Sequence, residues 1–443
     1  MKKVIIILTI LILFISCSTT KNDSRTTLAL VAYGDNDGTT AVYAVGKGPF
    51  IPLEEVKEDL VFEVDEMENT SPSEALDDIE EYNAENYCLV NIDNSLTTPR
   101  HIGDNWDHIS VYDSSSPSKF VDAKCILETE HVYYYLDNRY SVDLAEIKEL
   151  AALFEPEYDE IRSFFGKEAD VDNNGKIIFL ITDIDEMGYY YMLDQYSKEG
   201  LLNSGIEYES NESDMLYINI DIFDPNSDYT FDDAIATICH EFSHMTYFNE
   251  RYKNNLEEED MTFISEGLAM WTEYYVGYPA HHSENYIVPF IYDSEETDIF
   301  CEDNSIYGYG LLFFRYFEER FGLDAIKKLV SSEYVGLQAL EDAAGYSFDF
   351  IFDDFAQSLL ATAACLVDNE YYLENLNDIE NGFCLSLDVI SAFLEEGRDY
   401  LIGFDICENV YGALYPYTIC FILSEVDDID FESNGALMYY SCL

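Results

Sequence analysis

Ile238-Cys239-His240-Glu241-Phe242-Ser243-His244-Met245 decides how this chain reads, together with Ser265-Glu266-Gly267-Leu268-Ala269 downstream of it. The first stretch has the form H-E-x-x-H. On a helix, residues four apart share a face with their Cβ atoms about 6 Å apart. Two imidazoles so placed can hold one metal ion, with the glutamate between them close to a water on that ion. Glu266 is the expected third ligand. Three protein ligands leave a fourth tetrahedral position open, as catalytic zinc sites require and structural sites do not. The pattern therefore points to a zinc-dependent hydrolase holding one Zn2+ ion. With 7 histidines in the chain, the alternative of two ordinary surface histidines beside a glutamate is the weaker one.

The surroundings predict a helix. Thr230 and Asp233 form a Thr-x-x-Asp start signal. Phe231, Ala234, Ile235, Ile238, Phe242 and Met245 then recur at helical spacing. His240 and His244 fall away from the centre of that stripe and Glu241 on its border, so the stripe would anchor the helix while the imidazoles face a cleft. The polar run from Asn249 to Asp260 is expected to end the helix in a loop. A second helix is predicted near Thr262 to Val276, with Glu266, Ala269, Met270 and Glu273 on one face. Glu273 is either a partner behind a ligating imidazole or a solvated helix residue. Gly267 lowers helix propensity by about 1 kcal/mol relative to alanine, which suggests close packing there. Glu257, Glu258 and Glu259 could also ligate a metal, but a loop run of acids is more often solvated.

H-E-F-S-H-M followed by S-E-G-L-A-M-W-T-E resembles the gluzincin metallopeptidases. The closer resemblance is to hyicolysin-type secreted metallopeptidases. It extends over Phe154 to Gly166, Asp170 to Asp183, Met215 to Asn219 and Tyr307 to Gly322, and covers roughly residues 125 to 360. The resemblance implies that Glu266, in an N-E-G-like segment, completes the zinc site; Ser265 departs from the asparagine common there. The G-x-M-E-N signature of the aminopeptidase branch is absent, which favours an endopeptidase acting on peptide or protein substrates.

In such a site zinc lowers the pKa of its water to about 7. Glu241 would take the proton and pass it to the leaving amine. Tyr307 or Tyr309 is the candidate donor to the oxyanion, although with 37 tyrosines in the chain a packing role competes. The resemblance also implies an edge strand that pairs with extended substrate, placed here on Leu216, Tyr217, Ile218 and Asn219; an interior strand is the alternative. Asp170, Asp172 and Asn174 imitate the start of a Ca2+ loop. The twelfth position is Ile181 rather than glutamate, which favours a turn between helix and strand.

The chain begins Met1-Lys2-Lys3 and runs apolar from Val4 to Ile15, the shape of a secretory signal. Phe14-Ile15-Ser16-Cys17 resembles a lipobox, making Cys17 the candidate lipidated residue and residues 18–26 a tether; a plain cleaved signal is the alternative. The expected location is extracytoplasmic, anchored by lipid to a bacterial membrane, with Ser18 leaning to the outer membrane or cell surface. Ten cysteines show no repeated C-x-x-C spacing that would mark a thiolate metal site. The 22 basic and 89 acidic residues, a formal charge of −67, disfavour nucleic acid as a partner. A hydrophobic content of 48% argues for a folded chain with an acidic surface instead of disorder.

The expected fold class is α+β: a zincin-like core of mixed sheet, active-site helix and helical subdomain, flanked by β-rich modules. The boundaries are 1–17 signal, 18–26 tether, 27–136 β-rich module, 137–322 peptidase core, 323–398 helical subdomain and 399–443 β-rich module. The rival function is a surface lipoprotein that keeps the metallopeptidase fold and binds without turnover. Glu241 argues against it, since binding needs no base.

Overall fold

A computed structural model describes residues 27–33, 41–46, 100–113, 116–377 with gaps at 204, 207, 228, 254–260, 280–282, 293, 295–296, 302–303, 365 and 368, then 385, 403–404, 410–414, 417–424, 430–433 and 436–442. The signal and tether, Cys17, the Glu257–Glu259 run and much of 378–402 lie outside the described residues.

The chain starts with β1 (Thr27–Tyr33) and β2 (Ala41–Gly46), then enters the central sheet through β3 (Asn105–Asp113), β4 (Ser116–Glu128) and β5 (Val132–Asp137). Helix α1 (Leu144–Phe165), β6 (Ile177–Thr182), β7 (Gly188–Tyr190), the short α2 (Lys198–Asn203) and β8 (Met215–Asn219) follow. The motif helix α3 (Phe231–Lys253) and α4 (Thr262–Tyr275) come next. A helical region holds α5 (Val288–Tyr292), α6 (Ser305–Phe321), α7 (Leu323–Val330), α8 (Gly336–Ala344) and α9 (Phe348–Ala363). The chain closes with β9 (Gly403–Phe404), β10 (Val410–Leu414), β11 (Thr418–Ser424), β12 (Asp430–Ser433) and β13 (Leu437–Cys442).

The central sheet has six strands in the order β3-β4-β5-β6-β8-β7. β5, β6 and β8 are parallel, while β3 with β4, β4 with β5, and β7 with β8 pair antiparallel. VYYYLD, IIFLIT and MLYIN are buried at every position, as expected of interior parallel strands covered on both faces. Alternation sorts them: Tyr134, Phe179, Leu216 and Ile218 pack with Phe154 of α1 and Ile238 and Phe242 of α3. Tyr133, Tyr135, Ile178, Leu180, Met215 and Tyr217 form a second core with Ile109 and Val121 on the other face. α1 begins where the Asp143 side chain accepts from the Ala145 N–H and ends at Gly166, whose φ is 85°.

Several expectations change. β8 is interior, between β6 and β7, so Leu216, Tyr217, Ile218 and Asn219 do not offer a free edge; the edge is β7. The cause is the segment Gly188–Tyr190, which pairs antiparallel along the outer side of β8. The strands at 105–137 belong to the central sheet and not to an N-terminal module. β1 instead pairs with β11 and β13, and β2 with β10 and β12, so the two chain ends build shared sheets in place of separate modules at 27–136 and 399–443. The motif helix runs past Asn249 to Lys253, with Asn249 and Arg251 buried and bonded: Asn249 donates to the Met245 carbonyl, and Arg251 donates to the carbonyls of Ser332 and Tyr334.

Ser347 caps α9 through the Phe350 N–H, and Ile351, Phe355 and Leu359 are buried, but Phe350 is exposed and stacks on Tyr346. The 170–175 segment is a turn joining α1 to β6, with Asp170 and Asn173 at positive φ. Asp170 accepts from the Gly175 N–H, while Asp172 accepts from Asn174 and Ser213 and lies 3.5 Å from Arg100. These carboxylates are engaged by the protein's own donors, and the calcium expectation for Asp170, Asp172 and Asn174 gains no support.

Candidate metal centre

α3 presents its apolar stripe to the sheet: Ala234, Ile235, Ile238, Phe242 and Met245 are buried. Thr230 and Asp233 cap its start reciprocally, the Asp233 N–H donating to Thr230 Oγ1 and the Thr230 N–H to the Asp233 carboxylate. The imidazoles of His240 and His244 leave the stripe on the side facing α4, with ring centroids 4.8 Å apart. α4 can come close because Gly267 meets Gly310 of α6. A Cβ on Gly267 would lie 2.6 Å from the Phe314 ring and 3.0 Å from Gly310 Cα. The glycine within the ligand helix is thus a packing requirement, and it brings α6 with Tyr307 toward the imidazoles.

Glu266 Oε2 lies 3.2 Å from His240 Nε2 and 3.4 Å from His244 Nε2. Ligand atoms of His240, His244 and Glu266 all lie within 4.8 Å of one another. Behind them, Glu273 Oε1 is 2.8 Å from His240 Nδ1 and Ser265 Oγ is 3.2 Å from His244 Nδ1. Each ring therefore has a partner on the nitrogen away from Glu266, which fixes its orientation. Ser265, where the family resemblance leads one to expect asparagine, does this with a hydroxyl.

The electrostatics favour a cation. Three carboxylates, Glu241, Glu266 and Glu273, surround two imidazoles. Burial would lower the His240 pKa, yet Glu266 and Glu273 on its two nitrogens push it well above the usual histidine value. Burial would raise Glu266, but His244 and His240 hold it well below the usual carboxylate range. Burial raises the Glu241 pKa, offset in part by His240, His244 and the Tyr190 N–H. That N–H donates to Glu241 Oε2 at 2.8 Å.

The donor set suits zinc. Ligand bonds of about 2.0–2.1 Å give a tetrahedral edge of about 3.3 Å, matching the 3.2 and 3.4 Å between Glu266 and the two imidazoles. Two nitrogens and one carboxylate oxygen are a common catalytic combination for that metal.

The two tyrosines part company. Tyr307 stands at the site, its ring centroid 6.2 Å from His240; burial and then the Glu266 and Glu241 charges push its phenol pKa up and keep it protonated. Tyr309 points the other way, is fully buried, and donates to the Tyr417 carbonyl at 2.7 Å. Residues two apart on a helix differ by about 200°, so only one of the pair can face the candidate ligands. Tyr309 is a core residue. Tyr190 was not foreseen: a three-residue strand has too few positions to show a period, and its role at Glu241 is played by the backbone.

No protein-family model matches this chain, and no curated protein matches it. Among solved structures it is similar to a two-domain M1 zinc metallopeptidase, a mutant bound to L-arginine, at 10% identity and a TM-score of 0.26. The match covers 56% of this chain and 47% of that one, so the chain spans about half the length of that neighbour. A likeness this slight says nothing about chemistry, which rests on the residues described above.

Proposed function

We propose that this chain is a zinc-dependent endopeptidase. The observation that carries the reading is the convergence of His240, His244 and Glu266 ligand atoms within 4.8 Å, from two helices, with Glu241 beside them. His240, His244 and Glu266 would hold zinc, which when bound acts as a Lewis acid on the scissile carbonyl and lowers the pKa of water to about 7. Glu241 takes the proton of the attacking water and delivers it to the leaving amine nitrogen. Tyr307, kept protonated, donates a hydrogen bond to the developing oxyanion. Glu273 and Ser265 hold the imidazoles in register.

Binding without turnover, the rival reading, has no need of a general base beside the imidazoles. Purified protein is expected to hydrolyse unstructured casein, to stop on chelation and to recover with added zinc. Glu241→Gln should keep one zinc per chain and lose activity by about 10²–10⁴-fold. A Glu241→Gln variant as active as the parent would refute the mechanism.

We further propose that the chain acts outside the cytoplasm, tethered through a lipid on Cys17 to a bacterial membrane, at the outer membrane or cell surface. The Phe14-Ile15-Ser16-Cys17 stretch supports this. No helix among the described residues is long and apolar enough to cross a membrane. Labelling with a fatty-acid analogue should mark the parent and not Cys17→Ala.

A further inference from the structure

A general base works only if its carboxylate is held where the proton is, and the β7 edge shows what holds Glu241. Gly188, Tyr189 and Tyr190 lie opposite Ile218, Tyr217 and Leu216, and the Asn219 N–H donates to the Met187 carbonyl at 2.9 Å. Antiparallel partners alternate between hydrogen-bonded and non-hydrogen-bonded pairs. Counting from Met187 and Asn219, Tyr190 opposite Leu216 is a non-bonded pair. Its N–H therefore sits on the open edge of the sheet, where it donates to Glu241 Oε2 at 2.8 Å.

A strand of three residues at a sheet edge has little to keep it in place. Here the Tyr190 side chain supplies the anchor. Its phenol donates to Gln195 Oε1, and Gln195 Nε2 donates to Asp214 Oδ1. Asp214 also accepts from the Val171 N–H at 2.6 Å and the Ala169 N–H at 3.2 Å, and it directly precedes β8. Gln195 and Asp214 are each 1% exposed. With Asp214 ionised it can only accept, so the Gln195 amide offers it the NH2 end and turns its oxygen to Tyr190. The Tyr190 ring also packs against Phe248 of the motif helix, centroids 6.4 Å apart.

We infer that Tyr190 is a positioning residue: the Asp214–Gln195–Tyr190 chain pins β7 so that its open-edge N–H holds the Glu241 carboxylate beside the two imidazoles. The inference rests on the reading of Glu241 as the base. Tyr190→Phe keeps the ring, the strand and the backbone N–H, and loses only the bond to Gln195. It should lower kcat about tenfold with KM within about twofold, since misplacing a catalytic group acts on the chemical step. Zinc content should stay at one per chain. Gln195→Leu should reproduce the effect. Tyr316→Phe is the control: it removes a buried phenol bonded to Asp354 and the Ile351 carbonyl, away from Glu241, and should leave kcat unchanged.

Unchanged kcat in Tyr190→Phe, or a joint loss of kcat, KM and zinc resembling general destabilisation, would overturn the inference. Amide hydrogen exchange over residues 187–191, read by mass spectrometry on the zinc-loaded protein, separates this from failure of the enzymatic reading. Faster exchange there in both Tyr190→Phe and Gln195→Leu, with a parent that cleaves no peptide, would leave the clamp standing and remove its catalytic purpose. Exchange unaltered in both variants would refute the clamp itself.

Discussion

Two acidic clusters flank the edge of the central sheet, one half-buried and one fully buried, and they have opposite characters. In one, Glu241, Glu266 and Glu273 surround His240 and His244, whose nitrogens can each carry a proton or a lone pair. In the other, Asp194 and Asp214 are met by fixed donors: Asp194 accepts from the Tyr217 and Tyr208 hydroxyls and the Asn211 N–H, and Asp214 from Gln195 and two backbone N–H groups. A carboxylate enclosed by hydroxyl and amide donors has nothing to offer a metal; one facing imidazole lone pairs shares a focus with them. Acidity is common to both clusters, so the partners decide the chemistry. The first cluster has the chemistry to take a cation, and the second ties Asp194, Gln195, Tyr208 and Asn211 together beside the sheet.

The contrast is open to attack, beginning with its largest consequence. Glu266→Ala should release zinc on dialysis, read by metal analysis against the parent; retained stoichiometry and affinity would move the third ligand elsewhere. Glu273→Gln keeps the shape but weakens the anchor on His240 Nδ1, and zinc affinity or activity should fall about 10–100-fold. An unchanged affinity would make Glu273 a bystander.

The second cluster should show itself in stability. Burial pushes the Asp194 pKa up to about 7 from 3.8, against the pull of its hydrogen bonds. A carboxyl whose folded pKa is raised favours the folded state fully below its unfolded pKa, and loses that contribution as pH rises through the folded value. The parent should therefore lose stability between pH 4 and 7 relative to Asp194→Asn, by about 1 kcal/mol or more. Denaturant midpoints for both proteins, measured at intervals across that range, check the sign; parallel curves would refute it. Smallest of all, Tyr309→Phe should cost about 1 kcal/mol for the lost bond to the Tyr417 carbonyl and leave kcat unaltered. A fall in kcat would return Tyr309 to the site.

The candidate metal-ligand trio was legible because its information is local. His240 and His244 are one helical turn apart, and Glu266 sits on the next helix with an apolar pattern of its own. Gly267 was legible as an anomaly, though not its partner Gly310, which is 43 positions away and known only from the crossing of α4 and α6. The strand at 215–219 was visible from MLYIN, but its place was not. An all-apolar run reads alike at any interior position, and only the antiparallel pairing of Gly188–Tyr190 put β8 inside and β7 at the rim. Tyr307 and Tyr309 were indistinguishable in sequence until the helix was set against its neighbours.

By itself the amino-acid order determined the main helices and the candidate ligands carried on them, since spacing along a helix sets which residues share a face. The tertiary structure alone decided which strand is the edge, that both chain ends pair into common sheets, and that the Tyr190 backbone reaches Glu241. Those outcomes depend on contacts between distant segments, and backbone groups, being identical at nearly every residue, leave no mark in the sequence.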